Sequence, residues 1–114
     1  MNENKWSATP MAPMAADPQL SSGQRNAVWS AQQYLESAAF SRSGLIGQLE
    51  YDGFSTAEAT YGVDSWIVDW NEQATLSARQ YLGTMPFSQR GLIEQLQYDG
   101  FTSAQAQYGV NAAY

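Results

Sequence analysis

A stretch of about forty residues occurs twice in this chain, 47 positions apart. Between Ala27 and Val63, 22 of 37 residues are identical to their counterparts between Ala74 and Val110. The quartet Tyr51-Asp52-Gly53-Phe54 returns as Tyr98-Asp99-Gly100-Phe101, and Tyr61-Gly62-Val63 as Tyr108-Gly109-Val110. A fixed period of this size marks a supersecondary unit used more than once. Each unit is close to the size, ~40 residues, below which a core usually needs a staple or a partner. The chain has no cysteine, so no disulfide supplies that staple. The two units therefore either lean on each other or each packs unusually well.

Within the repeat, apolar residues fall at helical spacing. Ala27, Ala31, Tyr34, Leu35 and Ala38 lie on one face of a helix, and Ala74, Ala78, Tyr81, Leu82 and Met85 repeat them. Small alanines on that face let another helix approach closely. Asp69, with Glu72 three residues on, forms a capping-box pattern at the start of the second copy. Trp29 stands where Leu76 stands in the copy and is expected in the core or at a contact between units.

A second helix is predicted from Ser41, with Phe40 and Leu45 at the spacing of a hydrophobic staple; Phe87, Ser88 and Leu92 repeat it. Its buried stripe is Leu45, Ile46 and Leu49, copied as Leu92, Ile93 and Leu96. Gly53 is expected at the left-handed C′ position, with Phe54 meeting Leu49 in a Schellman motif. A third, short helix follows. Ser55 with Glu58, and Thr102 with Gln105, are capping-box pairs, each cap worth about 1 kcal/mol. The predicted fold is all-α: two tandem three-helix repeats, each containing a helix-turn-helix-like pair. The expected boundaries are a disordered leader or linker at 1–22, a first repeat at 23–68 and a second at 69–114. The leader holds Pro10, Pro13 and Pro18 without an apolar period; its first few residues read equally well as an expression tag.

Composition narrows the function. Histidine and cysteine are both absent, which removes the common zinc, haem and thiol sites. No calcium loop, phosphate loop or dinucleotide fingerprint is present. No catalytic group, metal or other cofactor is expected. Net charge is −6 with five basic residues, a poor match for nucleic acid or an anionic membrane and a good one for a basic protein segment. No run approaches the ~20 apolar residues of a membrane span.

The charge was not copied with the scaffold. From Asn26 to Trp70 there are six acids and one base; from Asn71 to Tyr114 there are three acids and two bases. Asp52 and Asp99 stand at the negative end of a helix dipole, where a carboxylate costs about 0.3–1 kcal/mol. Two readings remain open. Each carboxylate serves locally, accepting backbone N–H groups at the start of the next helix or serving the Asp-Gly turn, or each presents charge to a partner. The candidate partner-binding residues are Glu50, Asp52, Glu58 and Asp64 in the first unit, with Glu94 and Asp99 in the second. Trp66 and Trp70 flank the junction, either packing there or offering aromatic contacts to a partner.

The strings Phe40-Ser41-Arg42-Ser43-Gly44-Leu45-Ile46, Gln48-Leu49-Glu50-Tyr51-Asp52-Gly53-Phe54, Ala59-Thr60-Tyr61-Gly62-Val63-Asp64 and Val68-Asp69-Trp70-Asn71-Glu72-Gln73-Ala74 resemble the repeats of the Ltp family. These are host cell surface-exposed lipoproteins, among them the superinfection-exclusion lipoproteins of temperate phages of Gram-positive bacteria. The resemblance spans Asn26 to about Asn111. It implies tandem three-helix repeats, no enzymatic activity and a lipid-anchored protein outside the membrane. It also implies that DNA injection by an incoming phage is blocked by engaging that phage's tape measure protein. This chain has no lipobox cysteine, so the implied anchor was either removed from it or never part of it. The alternative reading is a cell-surface structural or interaction module with no phage role.

Overall fold

The computed structural model describes residues 8–10 and 19–114. Six helices follow one another: α1 (Ser22–Ser37), α2 (Arg42–Tyr51), α3 (Thr56–Asp64), α4 (Trp70–Thr84), α5 (Gln89–Tyr98) and α6 (Ser103–Ala113). The last three repeat the first three, so the fold is all-α with two tandem three-helix repeats. Two short strands are added, β1 (Ala8–Pro10) and β2 (Trp66–Val68). They pair antiparallel, with Ala8 opposite Val68 and Pro10 opposite Trp66. This corrects the expectation of a structureless leader at Ala8–Pro10. Residues 1–7 and 11–18 of that leader lie outside the described residues, and Ser21 already caps α1.

The chain forms two compact units. One contains Met1–Ala38 with Leu45–Val68, the other Ala39–Gly44 with Asp69–Tyr114. The six residues at 39–44 thus group with the second unit, where the sequence reading put them in the first repeat.

Local sequence explains the helix ends. Ser21 with Gln24, Ser55 with Glu58 and Thr102 with Gln105 form complete capping boxes. Asp69 caps α4 by accepting from the Glu72 N–H, a cap without the reciprocal bond of a box. Ser41 and Ser88 accept from the N–H of Gly44 and Gly91, both at 2.9 Å. Gly53 and Gly100 have φ of 108° and 107°, and the Phe54 and Phe101 N–H groups reach the carbonyls of Leu49 and Leu96, both at 3.1 Å. These are the Schellman bonds expected of the Asp-Gly-Phe string.

In the first unit the core holds Ala27, Val28, Ala31, Leu35, Leu45, Leu49, Ala59 and Val63. In the second, Ala74, Ala78, Leu92, Leu96, Phe101, Ala106 and Val110 form the core, with Phe87 and Ile93 packed against it. Ala38 and Met85, expected on the buried stripe, are exposed because each is the extended residue that ends its helix. Trp29 is 60% exposed, against the expectation of a core or contact position. Two residues at 100° each carry it about 200° from Ala27, to the far side of α1.

Alanine on α1 faces glycine on α3. A Cβ added to Gly62 would lie 2.6 Å from the Ala27 carbonyl, and one added to Gly109 would lie 2.5 Å from the carbonyl carbon of Ala74. Backbone meets backbone at both places, so no side chain can move aside. Overpacking typically costs about 1–3 kcal/mol, more than the ~1 kcal/mol of helix propensity that alanine adds over glycine. Gly62→Ala should therefore lower the thermal midpoint. Gly47→Ala, on an open face of α2 with nothing within 4 Å, should raise it. Thermal unfolding by circular dichroism reads both, and a rise in both midpoints would show that the close approach imposes no constraint.

Candidate functional site

The Asp-Gly corner that ends α2 also binds α1. The Tyr34 hydroxyl donates to Asp52 Oδ2 at 2.6 Å, and the Gln48 amide donates to Oδ1 at 3.2 Å. The copy is the same: the Tyr81 hydroxyl donates to Asp99 Oδ2 at 2.6 Å and the Gln95 amide to Oδ1 at 3.0 Å. Hydrogen bonds to a charged group contribute about 1.5–3 kcal/mol, which offsets the ~0.3–1 kcal/mol dipole cost at this helix end. The carboxylates do serve a local role, but their donors are a tyrosine and a glutamine rather than backbone N–H groups. The hydrogen bond to Asp52, followed by burial, raises the Tyr34 pKa above its usual value. For Tyr81 burial is the larger cause and the bond to Asp99 the second.

Beside each corner lies a cleft. In the first unit it measures about 400 Å³ and is lined by Ser30, Gln33, Tyr34, Ser37 and Asp52. In the second it measures about 410 Å³, and Ser77, Gln80, Tyr81, Thr84 and Asp99 line it at the equivalent positions. Ala39, Phe40, Ser41 and Gly44 wall the second cleft as well.

The predicted contact residues do not form one cluster. Glu50 accepts the Thr56 hydroxyl. Glu58 accepts the Ser55 N–H at 3.0 Å as part of its capping box. Asp64 is exposed at the opposite end of α3. Glu94 pairs with Arg90 at 3.4 Å on an exposed face of α5. Trp66 donates its indole N–H to the Val28 carbonyl at 2.9 Å and is half-buried, which fixes it within the first unit. Trp70 opens α4 and is half-buried. Sequence reasoning passed over Tyr51 and Tyr98, which are 88% and 87% exposed. Their signal was the copied quartet, in which they are the residues without a structural task. Among the described residues there is no group of three or more ionisable side chains able to hold a metal.

The sequence profile of the host cell surface-exposed lipoproteins, Ltp, matches residues 23–65 and again residues 69–112. The chain belongs to the Ltp family. It is similar to the solved structure of Ltp, a superinfection exclusion protein from the Streptococcus thermophilus temperate phage TP-J34. The two are 33% identical with a TM-score of 0.74, over 82% of this chain and 97% of that one. No curated protein sequence matches. Among the described residues no helix is long and apolar enough to cross a membrane.

In this Ltp repeat the tyrosine–aspartate pair has a pH signature. A raised tyrosine pKa means that the folded state holds the proton more tightly than the unfolded state. The stabilisation is then complete below the ordinary value of 10.0 and is lost as pH rises through the higher folded-state value. Tyr81→Phe should cost about 1.5–3 kcal/mol at neutral pH. It should also flatten the alkaline loss of stability relative to the unaltered chain. Denaturant midpoints measured across that range decide it; parallel curves would show that Tyr81 does not titrate against Asp99.

Proposed function

We propose that this chain is a non-enzymatic binding module of a superinfection-exclusion lipoprotein. It acts at the host cell surface and blocks DNA injection by a second phage. The likeness to the phage TP-J34 exclusion protein, over nearly the whole length of that structure, carries this reading. The partner is the incoming phage's tape measure protein, taken up through a basic segment. The uneven charge supports this choice, since residues 26–70 carry six acids against one base. Complementary charge of this kind steers encounter and fixes register. Within that acidic unit Glu50, Asp52 and Asp64 all stand at exposed positions, while Glu58 is half-buried and closes its capping box.

The test is an anchored form expressed in a phage-sensitive host, with adsorption and DNA injection scored separately. Adsorption should stay normal while injection falls. Glu50→Gln with Asp64→Asn should restore injection at least in part, and binding of the purified tape measure protein should weaken as salt rises. Normal injection in the presence of the unaltered protein would favour a surface structural module instead. Salt-independent binding would remove the acidic-surface mechanism.

A further inference from the structure

The second cleft shows what its walls accept. Ser41 is 3% exposed, and its hydroxyl donates to the Asp99 carbonyl at 2.7 Å. The Ser43 hydroxyl donates to the Gly100 carbonyl at 3.0 Å. The Phe40 N–H donates to Gln73 Oε1 at 2.9 Å, and Gln73 is 1% exposed. A helix start led by an aromatic residue and a capping serine thus seats against the Asp-Gly corner, within the second unit.

The first cleft has the same lining and the same carbonyl edge. Ser30, Gln33, Tyr34 and Asp52 are identical to their counterparts, and Ser37 differs from Thr84 by one methyl group. Asn26 stands in for Gln73 and is exposed; its amide nitrogen donates to the Ser22 carbonyl, leaving Oδ1 to accept. Among the described residues no hydroxyl reaches the Asp52 or Gly53 carbonyl as Ser41 and Ser43 reach theirs.

The matching donors exist on the same chain. Pro86-Phe87-Ser88-Gln89-Arg90-Gly91 is the copy of Ala39-Phe40-Ser41-Arg42-Ser43-Gly44. Ser88 caps α5 as Ser41 caps α2, but Ser88, Gln89 and Arg90 are all exposed. Arg90 replaces Ser43 and keeps a donor at that position. Its exposed pairing with Glu94 is worth little and is readily exchanged. The segment carries positive charge, and the unit that holds the first cleft is the acidic one.

We infer that a second copy of this chain docks at the edge of the first cleft, seating its Phe87–Gly91 segment there. The Ser88 hydroxyl meets the Asp52 carbonyl, Arg90 the Gly53 carbonyl, and the Phe87 N–H the Asn26 side chain. Donor and acceptor halves lie at different places on one chain, so the contact is heterologous. Copies then add one after another unless the rotation closes a ring. This inference does not depend on the exclusion reading.

Sedimentation velocity of the whole chain over a range of concentrations tests it. Unaltered protein should form species larger than a monomer as concentration rises. Ser30→Gln with Ser37→Gln fills the first cleft with neutral side chains on an accessible helix face. Ser88→Asp keeps an N-cap but removes the hydroxyl donor. Each variant alone should weaken association by roughly tenfold or more, the scale of one lost hydrogen bond. Helical circular dichroism should be unchanged, and Ser88→Thr should retain association. An equimolar mixture of the cleft and segment variants should give dimers and nothing larger, because each supplies the half that the other lacks. A monomer at millimolar concentration, or association unaffected by both variants, would overturn the inference.

Discussion

The fold depends on the contact of Ala27 with Gly62 and of Ala74 with Gly109. At both places one helix backbone touches another, because neither partner carries a side chain large enough to hold them apart. Units of this size have few large apolar residues to bury. Close approach lets the leucines of α2 and α5 and the valines of α3 and α6 close over a small core. The capping boxes then fix where each helix starts, so the glycine arrives opposite the alanine.

The Asp-Gly-Phe corner combines several tasks in three residues. Glycine supplies the left-handed turn that stops the second helix, and the phenylalanine N–H closes it onto a leucine carbonyl; Phe101 is buried and Phe54 half-buried. Aspartate draws in a tyrosine from the first helix. The same geometry leaves a polar cleft beside the corner, with the last carbonyls of the helix at its edge. Last carbonyls of a helix lack intrahelical donors, so such an edge attracts a hydroxyl. In the second unit it takes one from Ser41. A structural device and a docking edge are here the same atoms.

Much of this was legible in the sequence. The repeat, three helices per copy, the Ser-Glu and Thr-Gln boxes and the Gly-Phe stop are set by neighbours within five residues, and each was found where expected. Trp29 was misplaced because it was read from its counterpart Leu76 rather than from its angle on the helix. The donors to Asp52 and Asp99 lie 18 residues away, and only packing brings them there. The partition of 39–44 could not be read from a 47-residue period, since identical segments in two repeats have different surroundings. The acidic residues illustrate the same limit. Charge counting singled out Glu50, Asp52, Glu58, Asp64, Glu94 and Asp99, yet composition cannot separate a carboxylate that caps a helix from one that faces solvent.

The central claim is that one cleft and its carbonyl edge are built twice, with the edge bonded by Ser41 and Ser43 in one unit and, among the described residues, unbonded by any such hydroxyl in the other. Amide hydrogen exchange, resolved by residue and followed at low and high protein concentration, tests it most directly. The Phe40 amide, bonded to Gln73, should exchange slowly at every concentration. The Phe87 amide should exchange fast in dilute solution and slow as concentration rises. Equal protection of both amides at high dilution, or a Phe87 amide unprotected at all concentrations, would contradict the account.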